Sequence, residues 1–552
     1  MKDDKNKEYS SYLFILTIIT LFPMLQKGIM CNDELLLRKW AQGGIKYFFR
    51  TTFVNEYIDK GRILGVIGNL KFLSYISDNK YIFGAINLSF IVIAVMLYVL
   101  IINKLFKEKS LALLTGAMIL AFLPFTFEFS VPNAFVIVTL QPMIFLEIAI
   151  LYHLRYLEKG QRRNAIISAI FFLWSMFLYE FLITYVFVFT IIYLLKKSGE
   201  KIIDAIKRTW YYYVTAILYL GLYVGQSIVF PTNYSGTQMG IKSIKDILRV
   251  LRVLFSSSFP TYFSYFNEKY KYMFRYYNDG NVKWSNIVQL RYVIYFVVLF
   301  ILLKKVLSNS EKNKKWCKKD FSIIAIAIIY AILPALPNSL SLMYQDGLNE
   351  EQFITIPVSI YLYFSTVFGI SYILWKLFSV YSNRYIITTV SLIICILGGG
   401  VQIRNVVFIN EQERNYNKIT NIENVLSISY WKQFGKIVIY APSLYTTMNS
   451  LAIEPGHWTE YSSRYNDLCV DGNIESADAK LEMQEDGDFY FYTDKWGILI
   501  TSRLQKGEKI LDAINNKRQV VQIGNILWKE RNYIIYDVTP IYYAKIGERQ
   551  YD

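Results

Sequence analysis

Two adjacent carboxylates, Asp33 and Glu34, follow the first apolar run of the chain, 11–29. An acidic pair at a helix end is commonly a solvated cap. At a membrane boundary it is also able to bind a divalent metal or to act as a general base. Downstream, Tyr57-Ile-Asp-Lys-Gly-Arg62 opens an amphipathic stretch that runs to Tyr75. A cation near an acidic pair at headgroup depth suits a phosphate-bearing lipid; simple snorkelling of Arg62 to the interface is the plainer account. A second basic group, Lys242, Lys245, Arg249 and Arg252, recurs at spacings of three and four, which puts all four on one helical stripe. Ile244, Leu248, Leu251 and Phe255 form the apolar stripe beside it. Such a helix lies flat in the headgroup layer with its cations near lipid phosphates. It serves there either as an anchor or as a surface for a lipid-linked phosphate or pyrophosphate.

Other acids stand near apolar runs. Glu128 lies in Phe-Glu-Phe-Ser130, Glu180 between the runs 164–178 and 180–195, and Asp346 in Met343-Tyr-Gln-Asp-Gly347. Each reads as an ordinary loop charge or as a second acidic group of a site. Glu180 is held closest to hydrocarbon, where an ionisable group tends to have a partner. Within the run 133–153, Glu147 and His153 are six residues apart and so occupy different helix faces. Glu147 reads as a neutral, hydrogen-bonded interior group or as one paired with a cation on an ion path, and His153 as an interfacial residue. The four cysteines show no metal or disulfide spacing, and with two histidines a Cys/His zinc site is not expected. No phosphate-cradling glycine loop is present, which disfavours an ATP-driven machine.

The elements that must position these groups are membrane helices. The chain is 54% apolar and 18% charged, with the apolar residues in long runs, the composition of a membrane protein with soluble parts. The net charge of +16 sits largely in short clusters between those runs. It reads as topology charge and attraction to anionic lipid, not as a nucleic-acid surface. Runs at 11–29, 80–103, 110–127, 133–153, 164–178, 180–195, 209–230, 291–307, 321–337, 353–375 and 385–401 predict about eleven transmembrane helices, several near the ~20 residues that cross ~30 Å of hydrocarbon. Met1 to Glu8 is a charged leader with no small-residue cleavage site after it, so the run that follows reads as the first crossing.

Orientation follows from the short loops. Those near 104–109, 155–163, 196–208 and 304–319 are rich in Lys and Arg, whereas 124–132, 179–180 and 338–352 carry none. The positive-inside rule puts the N-terminus in the cytoplasm and the tail outside. The expected domains are therefore 1–404, an all-α polytopic membrane domain with outer loops 30–79 and 231–290, and 405–552, a small extracytoplasmic domain. In the tail, Asn410 to Asn424 predicts a juxtamembrane helix, and strand-like runs at 436–440, 489–492, 520–523 and 533–536 with a helix at 504–515 predict an α/β or α+β fold. The usage of Ile, Lys, Asn and Tyr is that of an AT-rich bacterial genome, so the membrane expected is a bacterial cell membrane.

An inside N-terminus, the acidic Asp33-Glu34 in the first outer loop and the amphipathic Gly61-Arg62 stretch before the second run resemble the C-type (GT-C) glycosyltransferase fold. Within it, the arrangement is similar to bacterial membrane glucosyltransferases that decorate cell-surface polysaccharides. The resemblance covers roughly the first 200 residues and the rest by architecture. It implies a polyprenyl-phosphate-linked sugar as donor and a glycan or lipid-linked acceptor. Asp33 or Glu34 would activate the acceptor hydroxyl, and Arg62 or the stripe Lys242, Lys245, Arg249 and Arg252 would meet the donor phosphate. Some members use a divalent cation beside the acid and others do not, so no cofactor is assigned. The second acidic motif of the family is not plain here, with Glu128, Glu180 and Asp346 as candidates. Two alternatives remain: a polysaccharide polymerase or ligase using lipid pyrophosphate donors, with Arg249, Arg252, Arg275 and Arg291 as residues to test, or a flippase of lipid-linked saccharide. A non-enzymatic scaffold acting through the tail is a further one.

Overall fold

The computed structural model describes residues 2–26, 40, 43–62, 65, 70–75, 79–125, 135–197, 199–231, 238–256, 258–265, 290–308, 315–347, 358–381, 383–427 and six short strands beyond 436. The described residues up to 409 form one compact helical unit, and the strands belong to a second unit. Where water is absent, each backbone N–H and C=O must be satisfied within its own segment, so long apolar runs become helices.

Among the described residues, the α-helices of five residues or more are α1 (Lys2–Leu21), α2 (Ile45–Thr52), α3 (Lys80–Phe106), α4 (Lys109–Phe122), α5 (Val136–Lys159), α6 (Arg162–Leu178), α7 (Val186–Lys196), α8 (Ile202–Arg208), α9 (Trp210–Val229), α10 (Ile244–Ser256), α11 (Leu290–Ser308), α12 (Lys318–Ile332), α13 (Ala335–Ser339), α14 (Leu342–Gly347), α15 (Ser359–Val380) and α16 (Arg384–Ser427). Each of the eleven apolar runs carries helical structure. Among the described residues, six spans, Lys80–Phe106, Val136–Lys159, Trp210–Val229, Lys318–Ser339, Ser359–Val380 and Arg384–Val406, are long and apolar enough to cross a membrane, and Ser10–Leu25 and Lys109–Phe122 are shorter apolar helices. The chain thus has the make-up of a multi-pass membrane protein. The polar stretch 410–424 is not a separate helix, because α16 continues through it.

The core is built around α4, whose residues from Leu111 to Phe122 are all buried. At ~1.5 Å per residue its 14 residues span about 21 Å, so it ends inside the protein. A helix that ends leaves carbonyls without intrahelical partners. Here side chains from three other segments supply the donors. The Tyr363 hydroxyl donates to Ile119 O (2.6 Å), Gln402 Nε2 to Leu120 O and Ala121 O (3.2 Å each), and the Tyr262 hydroxyl to Phe122 O (2.8 Å). Asn405 Nδ2 donates to Leu123 O at 2.8 Å, and its Oδ1 accepts the Phe125 N–H at 2.8 Å.

Several Lys-rich ends meet one another. Lys196 Nζ donates to Lys104 O (2.5 Å), Lys104 Nζ pairs with Glu158 (3.5 Å), and Lys305 Nζ lies 4.9 Å from the centre of the Tyr12 ring. At the start of α12, Asp320 accepts from Lys376 Nζ (3.0 Å), the Tyr372 hydroxyl (2.7 Å) and the Cys317 N–H (2.8 Å). Both charged side chains of that pair are only 6% exposed. Breaking a buried pair by deleting one partner costs about 3 to 5 kcal/mol, because the other charge is left unmatched. Lys376→Met is therefore expected to lower the melting temperature in detergent clearly, and adding Asp320→Asn to recover much of the loss. A Met variant as stable as the parent would contradict this.

In the tail, β1 (Ile437–Tyr440) lies between β2 (Cys469–Asp471) and β3 (Phe489–Asp494), parallel to both, and β4 (Gly497–Ser502) runs antiparallel to β3. β5 (Ile526–Glu530) and β6 (Tyr533–Tyr536) form a separate antiparallel pair. The expected strand at 520–523 and helix at 504–515 lie outside the described residues.

Candidate functional site

Arg62 is positioned by the way the preceding helix stops. α2 widens into a π-helical segment, Phe53–Asp59, which turns the Glu56 side chain inward. Gly61 closes it at φ +71°, a left-handed conformation natural to glycine. A Cβ there would also approach Tyr223 of α9 to 2.8 Å and Gln226 Oε1 to 2.9 Å. Gln226 Nε2 donates to the last carbonyls of the turn, Tyr57 O (2.6 Å) and Ile58 O (3.2 Å). The expected amphipathic stretch is therefore helical before Gly61, and its continuation after Arg62 is described as a 3-10 turn, Leu70–Tyr75. That turn is tied to α5 by Leu70 N–H donating to Gln141 Oε1 (2.9 Å).

The guanidinium of Arg62 meets Glu180 side-on, with Nε to Oε2 at 2.9 Å and Nη2 to Oε1 at 3.1 Å, and its Nη1 donates to Glu56 Oε2 at 3.2 Å. Lys60 adds a 3.7 Å contact to Glu56 Oε1, and the Tyr179 ring lies 4.7 Å from the Arg62 guanidinium carbon. Glu180 is presented by an extended Tyr179 followed by a 3-10 helix, Glu180–Tyr185, that runs straight into α7. Side-chain exposures are 6% for Glu56, 13% for Arg62 and 30% for Glu180, so the Glu180 carboxylate is the most open part of the cluster. Burial opposes the charge on Arg62, but Glu180 and then Glu56 outweigh it and hold its pKa well above the ordinary value. The result is a fixed cation held between two carboxylates.

A second group forms around α10. Ser243 caps the helix, accepting the Asp246 N–H (3.1 Å) while donating to Asp246 Oδ2 (2.6 Å). Arg249 pairs with Asp246 at 3.1 Å and also donates to Gln345 O, while Lys242 Nζ pairs with Asp346. The buried Gln345 holds these segments together, with Nε2 donating to Gly240 O (2.8 Å) and Ser339 O (2.9 Å) and Oε1 accepting the Lys242 N–H (3.0 Å). α10 packs on the protein through a second apolar face and leaves Ile244 and Leu248 of the expected stripe outward. Val250, Val253 and Leu254 face the protein, whereas Ile244 and Leu248 are 74% and 59% exposed. The helix packs against α13, α14 and α15 through the valine face, which turns Ile244 and Leu248 outward beside the exposed Lys245 and Arg252.

The sequence candidates thus meet in two places: Arg62 with Glu180, and Lys242 and Arg249 with the Gln345-Asp346 segment. Asp33, Glu34, Glu128 and Arg275 lie outside the described residues. Glu56, Gln226 and Gln345 are additions. Glu56 could have been read as an acid near Arg62, but the inward turn that joins them leaves no sequence signal. Among the described residues, no group of three or more His, Cys, Asp or Glu is arranged to hold a metal ion.

Two interior groups differ from expectation. His153 is buried, not interfacial. Its Nε2 donates to Phe189 O (3.1 Å), since a carbonyl only accepts, and its Nδ1 lies 3.0 Å from the Tyr212 hydroxyl. Tyr212 lies 2.6 Å from Ser168, whose hydroxyl is 2.6 Å from Ala149 O, so this network ties α5, α6, α7 and α9. Glu147 is 3% exposed, and neither carboxyl oxygen has a hydrogen-bond partner among the described residues, so the hydrogen-bonded reading does not hold there. Compared with known proteins, the sequence matches no family model and no curated protein.

Proposed function

We propose that this chain is a membrane glycosyltransferase that moves a sugar from a polyprenyl-phosphate donor to a cell-surface glycan or lipid-linked acceptor on the outer face of a bacterial cell membrane. The reading includes eleven crossings, an inside N-terminus and an extracytoplasmic α/β or α+β tail. The mutual contacts of the Lys-rich helix ends support the orientation.

The observation that carries the reading is the Arg62–Glu180–Glu56 cluster. It joins a cation and two carboxylates from segments 118 residues apart, on the loops that the charge rule assigns outside. In this reading Asp33 or Glu34 takes the proton from the acceptor hydroxyl, whose oxygen attacks the anomeric carbon and expels the lipid phosphate. Three of the five Arg62 N–H groups hold carboxylates, and the reading turns the rest toward the donor phosphate.

The test is sugar release from polyprenyl-phosphate glucose and mannose by the full chain in nanodiscs, without nucleotide. Turnover by the parent is expected. Asp33→Asn or Glu34→Gln is expected to reduce it about 10²- to 10⁴-fold, the usual contribution of a positioned base. A parent inert with a broad panel of such donors sinks the proposal. Turnover of a lipid pyrophosphate donor instead, lost with Arg249 or Arg252 changes, would select the polymerase.

A further inference from the structure

α3, α5, α7, α12 and α15 line a cavity of about 90 Å³ whose walls are aliphatic and aromatic apart from Ser365 and one acid, Glu147. Tyr98, Tyr185, Tyr330 and Tyr361 line it together with Phe364 and Phe368. The tyrosine rings pack on one another, with Tyr185 and Tyr330 edge to face at 4.9 Å. Tyr361 directs its hydroxyl to Thr139 O (2.8 Å) and Tyr98 its own to Phe364 O (3.3 Å). Ser365 donates to Tyr361 O at 2.9 Å. None of these three hydroxyls is therefore aimed at Glu147. Nearby lysines are committed as well, Lys376 to Asp320 and Lys196 to Lys104 O.

A carboxyl in such surroundings requires either a proton or a cation, since an isolated charge in an apolar medium is very costly. A hard metal ion is a poor match, because it asks for about six oxygen ligands and the lining offers one carboxylate. An organic cation is a good one: its charge answers the carboxylate, its carbon atoms match the apolar walls, and aromatic faces attract it. A cavity of ~150 Å³ admits benzene, so this smaller one sets the limit at a compact group.

We propose that the Glu147 cavity binds an alkylammonium group, held between the carboxylate and the surrounding tyrosine and phenylalanine rings. This site is independent of the transferase reading.

The experiment is equilibrium binding of labelled methylammonium and tetramethylammonium to the full chain in detergent at constant ionic strength. Tert-butyl alcohol serves as the neutral competitor. Saturable binding of at least one cation is expected, weakened tenfold or more in Glu147→Gln, which keeps the shape and removes the charge. Ala327→Leu, which fills the cavity from a lining position on α12, is expected to weaken it similarly. Neutral alcohol is expected not to compete. Absence of saturable binding, binding unchanged in Glu147→Gln, or equal competition by the alcohol each overturns the proposal; the last outcome would mark a protonated carboxyl in a merely apolar hole. Should one variant fail to fold, the other variant and the competition result on the parent still decide.

Discussion

Arg62→Met is expected to be among the most damaging single changes in the chain, removing about 3 to 5 kcal/mol of stability. The side chain is nearly isosteric in its stem, so the effect isolates the guanidinium. Without it, Glu56 at 6% exposure loses its 3.2 Å bond to the guanidinium and keeps the longer 3.7 Å contact to Lys60, and Glu180 loses both arms of its fork. The greater part of the loss comes from Glu56, because the half-exposed Glu180 can turn to solvent. Arg62→Lys should recover only part of the stability, since an ammonium cannot span both carboxylates in one plane. Arg62→Met with Glu56→Gln should recover more than the lysine if stranded charge is the cause. Melting curves in detergent measure all three. A methionine variant that melts with the parent would show the cluster to be energetically idle. If the proposed transferase reading is right, sugar release should fall further than stability alone accounts for.

Asn405→Leu is expected to cost about 2 to 6 kcal/mol. Its volume suits the site, but Leu123 O and the Phe125 N–H are left without a partner, and each buried unsatisfied group costs about 1 to 3 kcal/mol. Asn405→Asp separates the two halves, because a carboxylate still accepts from Phe125 and no longer donates to Leu123. The leucine variant should melt earlier and exchange its Phe125 amide faster, while the aspartate variant keeps that amide protected. Amide exchange unchanged in the leucine variant would mean that a rearranged side chain had replaced the cap.

Helix positions were readable because they depend on run length and apolarity, which survive whatever the tertiary packing. The pairing of Glu180 was readable in kind, since an acid at that depth calls for a counter-charge, but not in identity. Arg62 reaches it from 118 residues away after a π-helical turn that the local sequence does not announce. α10 was legible in part. Its cations and the outward Ile244 and Leu248 follow the stripes read from period, whereas its second apolar face, Val250, Val253 and Leu254, emerges only where α13–α15 pack on it. His153 was misplaced because a terminal position in an apolar run looks interfacial until the Tyr212 and Ser168 hydroxyls of neighbouring helices are brought to it.

The capped end of α4 carries a consequence for biosynthesis. Its donors come from residues 262, 363, 402 and 405, and the Phe125–Asn405 contact spans 280 residues. At about 5 to 20 residues per second, a ribosome needs about 14 to 56 s to make that interval. For all of that time the newly made α4, shorter than the bilayer, has a carbonyl end that stays open in whole or in part, since Tyr262 and Tyr363 arrive before Gln402 and Asn405. It must wait at a lipid headgroup, in the insertion machinery or against a chaperone until the last helix is delivered. Folding of the helical unit's centre is thus timed by the arrival of its last residues.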